Sequence, residues 1–132
     1  MKWLKIDGRE WNVKVIGITE NFNVLYSENT GRTMAAGAPI VLDPLGTFYG
    51  HKISVRRNGD DLDEFDDLFD FVSKPHATGI LVEAVHGQTM ISYLAYVSNG
   101  ERKVDKIDPK SGKVYYSTVE FNIIPMEAQV RP

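Results

Sequence analysis

The chain is 132 residues long, 42% hydrophobic and 25% charged, which is the make-up of one soluble domain able to bury an ordinary core without crosslinks. Lys and Arg total 15 against 18 Asp and Glu, a net charge of -3, so no global positive field gathers nucleic acid or an anionic membrane surface. With no cysteine, disulfide frameworks, thiol nucleophiles, iron–sulfur clusters and thiolate zinc sites are all excluded.

The N-terminus, Met-Lys-Trp-Leu-Lys-Ile-Asp-Gly-Arg, reaches charge within a few residues and builds no apolar signal-peptide core. No later stretch approaches the ~18 apolar residues of a membrane span. The expectation is a protein made in the cytosol and not exported by such a signal. Residues 2–6 and 9–18 flank Asp7-Gly8, whose tolerance of the left-handed region suits a two-residue hairpin turn. In the second run Trp11, Val13 and Val15 share a face and Asn12 and Lys14 point away. Residues 27–44 lack any period and carry little charge across Met34-Ala35-Ala36-Gly37-Ala38-Pro39. A connection of that length in a small domain reads as functional, here as an interface segment mobile in the free subunit and ordered on assembly.

Residues 46–57 read as a strand with Tyr49, Ile53 and Val55 on one face and Phe48 opposed. Residues 61–73 change period: Leu62, Phe65, Leu68, Phe69 and Val72 fall at helical spacing, acidic residues including Asp67 fill a solvated face, and Pro75 closes the segment. Asp61 and Glu64 have the spacing of a capping box. Residues 89–98 and 101–107 bracket Asn99-Gly100, a strong hairpin signal. Asp108-Pro109-Lys110-Ser111-Gly112 follows as a longer turn. Residues 113–124 then resume the alternation with Tyr115, Val119, Phe121 and Ile123 on one side, so the C-terminal half reads as a meander.

Chemistry is sparse. His51, His76 and His86 have no metal-ligand spacing and read as surface or turn histidines. The run Asp60, Asp61, Asp63, Glu64, Asp66, Asp67 and Asp70 misses the central Gly and terminal Glu of a calcium loop and reads as solvated surface. No nucleophile elbow, glycine-rich phosphate cradle or dinucleotide fingerprint occurs among the 11 glycines. Tyr93, Tyr96, Tyr115, Tyr116 and Phe121 offer a stacking platform for bases or sugars, yet without basic residues around them they fit a core better. The expectation is therefore no catalytic residue, no cofactor and no metal.

The order of elements is a strand pair, a long Gly-Arg-containing loop, a strand ending at Arg57, an acidic amphipathic helix and a β meander. With Ile6-Asp7-Gly8-Arg9-Glu10-Trp11, Glu28-Asn29-Thr30-Gly31-Arg32 and Leu45-Gly46-Thr47-Phe48-Tyr49, this order resembles the tail-component family of long-tailed bacteriophages and prophages. That family includes tail-tube subunits and the N-terminal domain of distal tail proteins. The resemblance spans most of the chain through short, non-catalytic motifs. It implies a β-barrel or sandwich with one flanking helix, forming rings, commonly hexameric, that stack on or cap a tail tube without enzymatic activity.

Together these readings give a mainly β chain: a single domain over residues 1–132, an antiparallel β-barrel or sandwich with one flanking α-helix at about 61–73. The expected function is a structural, self-assembling phage or prophage tail subunit, in the virion tail and, during assembly, in the host cytoplasm. Its partners are then copies of itself and other tail proteins, with no membrane and no sequence-specific nucleic acid. Tyr26, Asn29, Arg32 and Met34 are the expected interface residues. The alternative is a small-molecule or carbohydrate-binding β module whose tyrosines line a cleft.

Overall fold

The β-branched and aromatic runs pair into one antiparallel sheet. The computed structural model describes residues 3–27, 31–32, 40–59 and 61–131. Its elements are β1 (Leu4–Ile6), β2 (Val13–Tyr26), β3 (Gly31–Arg32), β4 (Ile40–Val41), β5 (Pro44–Arg57), α1 (Leu62–Ser73), β6 (Ile80–His86), β7 (Thr89–Ile107) and β8 (Val114–Pro125). Six strands form a sheet in the order β1-β6-β7-β8-β5-β2, and β3 pairs with β4. Among the described residues the fold is mainly β with one helix, in a barrel-like arrangement.

Alternation decides which face is buried. Ile53 and Val55 of β5 pair with Phe121 and Val119 of β8, while Ile80 and Val82 of β6 pair with Ala95 and Tyr93 of β7, and all of these are buried. Two devices close that face. Helix α1 lays Phe65, Leu68 and Val72 against it, with Phe69 partly buried at the margin. The sheet also curls, so that His51 on β5 reaches the Val85 carbonyl on β6 although β7 and β8 lie between those strands in the sheet.

The helix forms as its period dictates. The Asp61 carboxylate caps it by accepting from the Glu64 N–H at 3.3 Å, and the chain leaves it in an extended conformation at Lys74, just before Pro75.

Four local expectations are corrected. The Asp7-Gly8 turn forms, with φ of +50 and +79 and Ile6 and Arg9 exchanging hydrogen bonds of 3.1 and 2.9 Å, but its strands then part. β1 pairs with β6, β2 starts only at Val13 and pairs with β5, and Trp11 between them turns into the core. Val15, expected to be buried beside Trp11 and Val13, is exposed next to a register shift before Gly17.

The Asn99-Gly100 pair makes no hairpin. β7 runs unbroken through it, with a register shift between Val97 and Gly100. A Cβ on Gly100 would lie 2.9 Å from the Glu120 carbonyl oxygen and 3.0 Å from the Phe121 Cβ, so the glycine serves close approach to β8. The actual hairpin turns lie elsewhere. One is at Gly87-Gln88, where Gly87 takes φ +60 between the paired His86 and Thr89. The other is the expected turn after Asp108, closed by the Asp108 N–H on the Lys113 carbonyl at 2.9 Å.

Residues 27–44, expected to lack regular structure, begin and end as a ladder. The Ser27 N–H donates to the Asp43 carbonyl at 2.8 Å, and β3 pairs with β4. The ladder extends the β2–β5 pairing beyond β8, whose contact with β5 covers only Val55 to His51. The result is a two-stranded arm from Phe22 opposite Tyr49 to Tyr26 opposite Pro44. The C-terminal segment braces its base: the Gln129 side chain accepts from the Tyr49 N–H at 3.0 Å and donates to the Tyr49 carbonyl at 2.9 Å, and Thr47 bridges to Val130. A second arm, from Val104 opposite Tyr116 to Ile107 opposite Val114, projects from β7 and β8.

Candidate functional site

The curl gathers polar groups where β2 approaches β6. Glu20 of β2 places Oε2 2.7 Å from His86 Nδ1 and 3.5 Å from His51 Nε2. His51 is 0% exposed. Its Nε2 lies 2.8 Å from the Val85 carbonyl and its Nδ1 2.6 Å from the Tyr93 hydroxyl. A carbonyl only accepts, so in neutral His51 Nε2 donates to it and Nδ1 accepts from Tyr93. Burial, with the Glu20 charge added, pushes the Tyr93 phenol well above its ordinary pKa and keeps it a proton donor. Tyr49 meets the His86 ring edge-on at 4.8 Å. The cluster satisfies its own polar atoms across the seam and acts as a clasp on the curled sheet.

His51 is therefore a core residue and not the surface histidine expected from sequence. The signal was present: it shares strand parity with Ile53 and Val55. His76 fits its reading, lying in the turn after α1 with Nε2 3.0 Å from the Phe71 carbonyl. Among the described residues no group of three or more His, Asp or Glu side chains is placed to hold a metal ion. The aromatic residues weighed as a platform are not brought together. Tyr93 and Phe121 are buried, Tyr96 is exposed, the Tyr116 ring lies 4.1 Å from the Arg102 guanidinium, and Tyr115 lies against Arg57 and Lys106.

The most exposed large apolar side chain among the described residues stands on the β2–β5 arm. Phe22 is 70% exposed, and Leu25, Tyr26, Leu42 and Leu45 are exposed with it. Of the expected interface residues, Tyr26 stands at the end of β2 opposite Pro44, 45% exposed. The Arg32 backbone pairs with Ile40. Asn29 and Met34 lie outside the described residues, as does the Arg32 side chain. Phe22, Leu25 and Leu45 were not singled out from sequence, because an apolar residue alternating with Asn21 and Asn23 reads as an ordinary half-buried strand. No helix among the described residues is long and apolar enough to cross a membrane. Comparison of the chain with protein-family models and with curated proteins gives no match.

Proposed function

We propose that this protein is a structural, self-assembling subunit of a phage or prophage tail, without catalytic activity, acting as a tube or distal component in a homo-oligomeric ring. The observation that supports the reading most is the β2–β5 arm. A two-stranded projection with exposed Phe22, Leu25, Tyr26 and Leu45 along it, and exposed Leu42 just before β5, leaves apolar side chains on both faces in water unless a partner covers them. The resemblance supplies that partner as a neighbouring copy, with Tyr26 and the segment beyond it at the contact. The mainly β fold with one flanking helix agrees with what the resemblance implies.

The test is sedimentation velocity across a concentration series, with negative-stain microscopy of the assembled fraction. The protein forms rings or tubes, and Phe22→Asp combined with Leu25→Asp leaves a folded monomer. A chain that stays monomeric at every concentration, with a melting temperature raised by a small molecule or sugar, would replace this reading with that of a ligand-binding module.

A further inference from the structure

The β7–β8 arm separates two grooves of opposite charge. Between the arm and α1 lies a cavity of about 520 Å³ lined by Asp61, Asp63, Asp66 and Asp70, with Arg102 and Lys113 on its arm side. A second cavity of about 500 Å³ is lined by Lys14, Arg56 and Arg57 and one acidic residue, Asp105. Tyr116 borders both.

Each groove holds a charge that the isolated fold disfavours. Arg56 stands directly opposite Lys14 in the β2–β5 register, and both are exposed. Neither forms an ion pair among the described residues. Like charges on facing strand positions destabilise a sheet. Two residues along β5, Ser54 pairs with Glu120, which in turn faces Glu101 on β7. Across the arm, Asp63, Asp66 and Asp70 are spaced to form one ridge along α1. Asp66 is bound to Arg102 at 3.4 Å, whereas exposed Asp70 sits in the last helical turn, where the carbonyl ends are already negative and which holds no basic residue of its own, Lys74 following as the C-cap.

We propose that these two surfaces are the halves of one contact: the Asp63, Asp66 and Asp70 ridge of one copy seats in the Lys14, Arg56 and Arg57 groove of the next. Either surface paired with itself would set like charge on like, so ridge must meet groove, and in the ring of the proposed function that contact runs head-to-tail from copy to copy. The charges that burden the monomer are neutralised in the assembly. This contact rests on the assembly reading and gives it a second surface, apart from the apolar arm.

The decisive experiment uses Arg56→Glu and Asp70→Lys, each alone and mixed at equal concentration, followed by sedimentation velocity at low salt. Each variant alone associates at least about tenfold more weakly than the parent protein. Each also melts at the same or a higher temperature, because one removes a like-charge pair and the other suits the helix terminus. The mixture regains association, since the intact ridge of one variant meets the intact groove of the other. Parent-like association by either single variant, or a mixture no stronger than its components, overturns this contact while leaving assembly itself standing. A parent protein that never associates overturns both.

Discussion

The indole N–H of Trp11 donates to Asp67 Oδ2 at 2.8 Å, hanging the N-terminal segment from the middle of α1. Arg9 bonds the same carboxylate, and its guanidinium lies 4.8 Å from the Trp11 ring centroid. Asp67 therefore joins two parts of the chain and is not the free solvated residue its place in the acidic run suggested.

Removing that acceptor orphans a buried donor. Asp67→Ala is expected to cost about 1–2 kcal/mol in urea unfolding, and Asp67→Asn less, because the amide oxygen still accepts from the indole. The bonds from Trp11 and Arg9 hold the Asp67 carboxyl below its ordinary value of 3.8. Its stabilising effect is thus full above the ordinary carboxylate range and is lost as pH falls through it. With the side chain 48% exposed the effect is small and salt-sensitive. The stability of Asp67→Asn should fall less steeply than that of the parent as the medium is acidified.

Gly100 should tolerate no side chain. In Gly100→Ala the new Cβ meets the Glu120 carbonyl at 2.9 Å, and backbone does not step aside cheaply, so a loss of about 1–3 kcal/mol is expected. Gly112→Ala makes the contrast: nothing lies within 4 Å of its Cβ, and only the left-handed φ of +74 opposes it, at about 1–2 kcal/mol. Crystals of Gly100→Ala should show β7 displaced from β8 at this point, whereas Gly112→Ala should leave the ladder in place.

The clasp offers an alkaline test. The folded state keeps the Tyr93 proton above the ordinary phenol value of 10.0, while the unfolded chain releases it there, so stability declines as pH rises past that point. Tyr93→Phe should be less stable at neutral pH by about 1–3 kcal/mol, because His51 Nδ1 loses its donor. Its decline in alkali should also be shallower. Ultraviolet titration should find one of the six tyrosines ionising only as the protein unfolds.

Gln129→Ala tests the brace on the apolar arm. It deletes both bonds to the Tyr49 backbone, so amide exchange at Tyr49 should accelerate more than exchange at Ile53, which lies deeper in the sheet.

Periodicity carried much of the fold. The alternation through Val119, Phe121 and Ile123 and the helical spacing of Phe65, Leu68 and Val72 identify the buried faces without reference to any partner. What failed depended on the partner. Asn99-Gly100 has the same local chemistry in a hairpin and in a bulge, and only the approach of Glu120 from β8 decides between them. His51 shares its neighbours' parity, yet its hydrogen-bond partners lie 34 and 42 residues away, where no local window reaches. The apolar arm was hidden for a related reason. Phe22 alternates like a core residue, and its exposure follows from the absence of β8 beside that part of β5.

The pairing of Leu4–Ile6 with Val82–Ala84 imposes an order on biosynthesis. At about 5–20 residues per second, the strand made first waits for seconds before its partner exists. The β2–β5 ladder and α1 can close meanwhile, since their partners are near in the chain. Trp11 can find Asp67 once the helix has emerged, but Leu4 and Ile6 have no burial until β6 follows. During synthesis Leu4 and Ile6 thus lack the strand they pair with until Ala84 has been made.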